Sequence, residues 1–263
     1  MEFLKALVYG IIQGVTEFLP ISSDAHLIII PKLLGWTEPS LDFDIALHLG
    51  TTAAVILFFL KDWIRLFKAG FKKPASADGR LFWFIIAATI PSGLLGLIFQ
   101  KYSETVRGLS LISWMLIIMG LLLYFVDRYM PKTRNIHQVG LGRSLIIGAA
   151  QAIAMIPGVS RSGVTITASR FLGIKREDAA KFTFLLSTPT ILGLCVFKIK
   201  DFTKVDFNGF AFLLAIVTSA VVGALCIKFL LNYIKNRGFG VFTVYRCALG
   251  VLLLILIACG VLA

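Results

Sequence analysis

The segment Gly10-Ile-Ile-Gln13-Gly-Val-Thr-Glu17-Phe-Leu-Pro20-Ile-Ser22-Ser23-Asp24-Ala-His26 decides the fold. It lies within residues 3–33, an apolar stretch long enough to enter a bilayer, yet it gathers a carboxylate, a proline, two serines, a second acid and a histidine near the middle. Backbone and charge are hardest to satisfy at that depth, so a broken helix or re-entrant hairpin is expected rather than an unbroken span. Residues 141–170 have the same character and break at Pro157-Gly-Val-Ser160-Arg161-Ser162-Gly163-Val-Thr165. The two share a spelling: Gly10-x-x-Gln13 before Pro20 and two serines, Gly148-x-x-Gln151 before Pro157 and two serines.

Working outward, six stretches are each close to the roughly 20 residues that a helix needs to cross a bilayer core. They are 43–60, 81–99, 110–127, 180–198, 208–229 and 241–262. Interrupted segment, three spans, interrupted segment, three spans is the resulting order. With hairpins that return to their own side, the second half starts on the opposite side of the membrane. The expected fold is therefore an all-α polytopic membrane protein, with six spanning helices and two re-entrant hairpins in an inverted-topology repeat. Residues 1–263 form one membrane domain, with pseudo-repeats at about 3–127 and 141–262.

Composition agrees: 58% of the 263 residues are hydrophobic and 15% charged, and the mean hydropathy is +0.89, which excludes an ordinary soluble enzyme. The net charge of +12, from 26 Lys and Arg against 14 Asp and Glu, lies mostly in short connections. Anionic lipid and topology therefore explain it better than nucleic acid. Cys195, Cys226, Cys247 and Cys259 lie in apolar runs without CxxC spacing and read as small buried hydrophobes. Polar residues and Pro20 interrupt the first apolar stretch, which does not suit a removable signal peptide. Connections 61–80, 128–143 and 230–240 are rich in Lys and Arg, whereas 100–109 and 199–207 hold only Lys101, Arg107, Lys200 and Lys204. The richer face is expected to be cytoplasmic, with both termini extracytoplasmic.

The polar clusters carry the chemistry. Gln13 and Glu17 are one helical turn apart and can share an ion or proton. Pro20 ends that helix, and Ser22 or Ser23 can cap the next, whose first turn presents free amides to an anion. Ser23 stands three residues before His26, where an imidazole could take its proton. Glycines around Ser160-Arg161-Ser162 allow close backbone approach, and Arg161 offers a fork suited to phosphate oxygens. Tips entering from opposite sides would bring these groups together in a constellation suited to phosphoryl transfer. His48 lines that site or packs against polar neighbours. Tyr245-Arg246 read as interface anchors or as contacts to an anionic ligand, Arg170 as structural, and Pro91 and Pro189 as kinks.

These motifs resemble the undecaprenyl-diphosphate phosphatase family, the bacitracin-resistance type. The likeness rests on Gln13-Gly-Val-Thr-Glu17-Phe-Leu-Pro-Ile-Ser22-Ser23 with His26, and on Pro157-Gly-Val-Ser160-Arg161-Ser162-Gly163 with Thr165. It extends to Leu47-His48-Leu-Gly-Thr51, Phe184-Leu-Leu-Ser-Thr-Pro189 and Tyr245-Arg246. The resemblance implies a bacterial plasma-membrane hydrolase that removes the terminal phosphate of a C55 polyprenyl diphosphate, leaving the carrier used in cell-wall synthesis. It also implies an inverted repeat and a divalent cation, Mg2+ or Ca2+.

By the same likeness, Glu17, Ser23, His26 and Arg161 are catalytic, with Ser23 the favoured nucleophile. Gln13, Ser22, Ser160, Arg161, Ser162 and Thr165 bind substrate, and Glu17 holds the cation; Gln13 is a further candidate ligand, and Asp24, on its own chemistry rather than by the likeness, could bind the cation, orient His26 or weaken activity. Asp24-Ala25 departs from the family pattern of a small hydroxyl or glycine residue followed by glycine. Expected partners are the polyprenyl diphosphate, the bilayer and, if the chain self-associates, a second copy. Attack by Ser23 or directly by water stays open, and so does the rival reading of a transporter or flippase of phosphorylated polyprenyl lipids, an architecture that also uses broken helices.

Overall fold

The computed structural model describes residues 2–37, 40–105, 108–198 and 209–262. Among them, regular structure is helical apart from one isolated bridge between Arg134 and Ile174. The helices are α1 (Glu2–Phe18), α2 (Ser23–Leu33), α3 (Leu41–Phe58), α4 (Leu60–Lys72), α5 (Ala77–Thr105), α6 (Leu109–Tyr129), α7 (Gly140–Gln151), α8 (Arg161–Phe171), α9 (Arg176–Lys198), α10 (Gly209–Asn236) and α11 (Gly240–Ala258).

Both interrupted stretches break where the prolines and serines stand. α1 ends before Pro20, and α2 starts from Ser22; α7 runs through a 3-10 turn at Ala152–Met155, and α8 starts from Ser160. Ser22 and Ser160 are the non-glycine residues with positive φ among the described residues, both at 75°. Each is an N-cap, its hydroxyl accepting from the amide of Ala25 or Gly163. An L side chain rarely adopts this conformation, at about 1–3 kcal/mol each, and such strain tends to gather at functional sites.

Among the described residues, four helices are long and apolar enough to cross a membrane: Ala77–Gly96 within α5, then α6, α10 and α11. α3 and α4, bent by 73° at Phe59, make a fifth if counted as one broken span. The chain is thus a multi-pass helical membrane protein. The stretch after residue 60, read from sequence as a connection, is mostly the amphipathic helix α4. The expected span 180–198 falls on α9, which is helical but is diluted by Lys181, Ser187, Thr188 and Thr190. Connections 106–107 and 199–208, which hold Arg107, Lys200 and Lys204, lie outside the described residues, as does the side chain of Cys195. Cys226 and Cys247 are half-buried and Cys259 is exposed, not buried as expected.

α1 packs on α10, α7 on α5, α3 on α10 and α9, α11 on α6, and α8 on α6 and α9. Glycine makes the first two contacts close. A methyl added at Gly10 would lie 2.7 Å from Thr218 Cβ, and one at Gly148 would strike the Ala88 carbonyl. Small residues let helix backbones approach where no hydrophobic effect drives association. The polarity of the molecule is inside out. Gln13, Arg170 and Arg246 are fully buried, whereas Trp114, Ile118, Leu121, Phe125, Val221 and Leu225 face outward. Lipid as solvent accounts for both facts.

Candidate active site

The site forms where the two breaks meet. α1 places Gln13 and Glu17 one turn apart, and Gln13 Nε2 donates to Glu17 Oε2 at 3.2 Å. The same amide nitrogen lies 3.1 Å from His48 Nδ1 on α3, and that ring nitrogen lies 3.7 Å from Glu17 Oε2. After the turn at Pro20, the first residue of α2 returns to the carboxylate: Ser23 Oγ donates to Glu17 Oε2 at 2.7 Å.

The second hairpin reaches the same carboxylate from the other side. Arg161, first residue of α8, donates from Nη1 to Glu17 Oε1 at 3.5 Å. Ser162 Oγ donates to the Leu19 carbonyl at 3.1 Å, joining the hairpins, and lies 3.2 Å from Ser160 Oγ. Two helix N-termini, those of α2 and α8, thus open beside one carboxylate, one serine hydroxyl and one guanidinium. Free amides, dipole ends and a fork-shaped cation together favour an anion. A hydroxyl 2.7 Å from a carboxylate is within reach for proton transfer.

Most residues expected from the sequence are gathered here: Gln13, Glu17, Ser22, Ser23, His26, Ser160, Arg161 and Ser162. Two differ in what they touch. His26 does not face Ser23: Nδ1 donates to the Ser22 carbonyl at 2.6 Å, and Nε2 accepts from the Tyr245 hydroxyl at 2.6 Å. The sequence placed His26 one turn after the Ser22 carbonyl, and the helical i to i+4 geometry sends the ring there instead. Thr165 is buried, and its hydroxyl donates back to the Arg161 and Ser162 carbonyls within α8 rather than into the site. Asp24 is exposed on the first turn of α2.

Arg246 is not an interface anchor. It is fully buried, and its guanidinium donates to the carbonyls of Pro20 (3.0 Å), Gly158 (2.8 Å) and Val159 (3.1 Å) at the two breaks, and of Leu116 (3.1 Å) and Met115 (3.3 Å) on α6. One side chain on α11 thus ties both hairpin tips together. Its neighbour Tyr245 stacks on His26 with ring centroids 5.7 Å apart. The available signal was an arginine near the start of an apolar run, where charge is costly unless it is used.

The oxygen donors around Glu17 limit which cation the site can hold. Among the described residues, no group of three or more His, Cys, Asp or Glu side chains is placed to hold a metal ion. Glu17 Oε2 accepts from Ser23 and Gln13, Glu17 Oε1 carries the long Arg161 contact that a ligand can displace, and Gln13 Oε1 is buried without a hydrogen-bond partner. This is a sparse oxygen set. It fits a magnesium-like ion that completes its shell with water and substrate phosphate, not an all-protein cage.

Comparison with known proteins gives concordant matches. The family model described as "Bacitracin resistance protein BacA" matches residues 6–252. The chain is 47% identical over 259 residues to the undecaprenyl-diphosphatase of Pelotomaculum thermopropionicum, covering 98% of each. It is 47% identical over 254 residues to that of Moorella thermoacetica, covering 96% of this chain and 97% of the other. With the undecaprenyl-diphosphatase of Elusimicrobium minutum it shares 44% over 259 residues, covering 97% and 98%.

Proposed function

This chain belongs to the bacitracin resistance protein family, and we propose from that premise how its site works on undecaprenyl diphosphate. The protein is a phosphatase that converts undecaprenyl diphosphate to undecaprenyl phosphate and inorganic phosphate. The observation that carries the mechanism is the meeting of Ser23, Glu17 and Arg161 across the two breaks.

The terminal phosphate sits at the N-termini of α2 and α8, where Arg161, the Ser160 hydroxyl and free amides take its oxygens, and the Ser162 hydroxyl joins them by giving up the Leu19 carbonyl. Arg161 exchanges its long 3.5 Å contact with Glu17 for a phosphate oxygen. Glu17 takes the proton as Ser23 Oγ attacks the terminal phosphorus. The bond from that phosphorus to the bridging oxygen breaks, and the lipid monophosphate leaves as a dianion. Water then attacks the phosphoserine, releasing inorganic phosphate and restoring the Ser23 hydroxyl, and the proton leaves Glu17 to solvent. His26 fixes the Ser22 carbonyl and the strained turn before Ser23 and takes no proton from it. A divalent cation, held by Glu17 and Gln13 Oε1, would offset phosphate charge when bound.

Packing supports reading the halves as an inverted repeat, while six spans and termini outside rest on the apolar stretches and the basic connections of the sequence. α1 lies on α10 as α7 lies on α5, α3 meets α9, α6 meets α11, and both breaks carry a positive-φ serine cap. This arrangement also serves transporters, so lipid translocation is the second reading. Phosphate release by the purified protein from undecaprenyl diphosphate, with and without Mg2+ or Ca2+, tests the first. Cation-dependent release that Arg161→Ala abolishes supports it; binding of the lipid with no release overturns it in favour of translocation.

A further inference from the structure

Helix α4 takes no part in the site, yet its side chains are sorted into three faces. At about 100° per residue, Leu60, Ile64, Phe67 and Phe71 fall on one stripe about 60° wide. All four are exposed, by 44 to 61%. Lys61, Lys68 and Lys72 form a second stripe about 90° around the helix, and all three are exposed. On the opposite flank, Leu66 and Gly70 are buried.

The helix is held firmly in place. Trp83 of α5 donates from Nε1 to the Gly70 carbonyl at 3.0 Å, Lys181 of α9 meets Asp62 at 2.8 Å, and Arg65 lies 3.4 Å from Asp78. The bend of 73° turns α4 off the direction of α3, the usual posture of a helix lying along a bilayer surface. A shallow open groove of about 300 Å³ lies along it, between Trp63, Ile64, Phe67 and Lys68. Its walls are apolar, with one ammonium at the edge.

We propose that α4 is an interfacial helix that binds an anionic phospholipid, its phosphate on the Lys61–Lys68–Lys72 stripe and an acyl chain along Ile64, Phe67 and the adjoining groove. Charge complementarity selects the occupant. Asp62 is already paired with Arg65 and Lys181, so the three lysines border the apolar stripe without an intervening acid on that edge. Lysines beside such a stripe snorkel to the headgroup region, and each contributes about fivefold to partitioning onto an anionic surface. This inference is independent of the active-site reading.

The test uses full-length protein in nanodiscs of phosphatidylcholine with about one third phosphatidylglycerol, counting retained lipids by native mass spectrometry. Phosphatidylglycerol is expected to be enriched over its bulk share, with enrichment falling about threefold or more in the Lys61→Gln, Lys68→Gln, Lys72→Gln variant and falling again at high salt. Equal enrichment in variant and wild type overturns the proposal. So does an equal fall in a control carrying Arg128→Gln and Lys175→Gln, two exposed cations outside α4. If the triple variant does not fold, Lys68→Gln alone decides: reduced enrichment supports the site, unchanged enrichment removes it.

Discussion

Glu17 gathers the contacts that define the site: it accepts from Ser23 and Gln13 on one oxygen and from Arg161 on the other, with His48 beside it. Glu17→Gln keeps the shape and removes the base, so single-turnover phosphate release should fall about 10²–10⁴-fold while lipid binding persists. A fall of less than tenfold would assign the Ser23 proton elsewhere. Ser23→Ala should fall as far, and quenched reactions of the wild type should yield a phosphoserine; near-normal turnover of Ser23→Ala would mean direct attack by water. Tyr245→Phe removes the hydroxyl partner of His26 Nε2. A single hydrogen bond of about 1 kcal/mol predicts a severalfold loss in kcat with KM little changed.

At the scale of elements, the two strained caps and the close helix pairs are the features to probe. Ser160→Gly keeps a backbone that accepts φ of 75° but loses the cap to Gly163, whereas Ser160→Ala loses the cap and keeps the strain. Thermal melting in detergent should therefore rank Gly above Ala at this position, by about 1 kcal/mol, the reverse of ordinary helical preference. Gly148→Ala drives a methyl into the Ala88 carbonyl and should destabilise by about 1–3 kcal/mol through separation of α7 from α5. An unshifted melting temperature would show that this pair yields freely.

On the scale of the whole molecule, two buried arginines hold α8 at its ends. Near its start, Arg246 ties the breaks to α6 and α11. At its other end, Arg170 donates from Nε to Asp127 Oδ1 at 3.0 Å, and Arg176 of α9 donates from Nη2 to Asp127 Oδ2 at 2.7 Å. The Phe239 amide meets the same carboxylate at 3.5 Å, so α8, α9 and the connection before α11 converge on one acid of α6. Removing one partner of a buried ion pair strands the other, at about 3–5 kcal/mol. Asp127→Ala should accordingly lower the melting temperature sharply and take activity with it, although Asp127 is remote from Glu17 in role and in sequence. Preserved stability would refute the latch.

The sequence by itself determined the solvent, the places of the breaks and most of the reacting groups. Each follows from a local rule: apolar length against bilayer thickness, proline and serine against helix continuity, and carboxylate or guanidinium against burial. The bend at Phe59, the surface helix α4 and the helix over 180–198 were only partly legible, because their character depends on which neighbours cover each face. Pairings were decided only by the tertiary structure. His26 lies close to Ser23 in sequence but turns to Tyr245, 219 residues on, while Glu17 takes the Ser23 hydroxyl. Arg246, outwardly an interface anchor, is the clamp on both tips. Spacing along the chain gives the face of a helix, but the hydrogen-bond partner of a buried polar group is whichever acceptor the packed helices bring within about 3 Å.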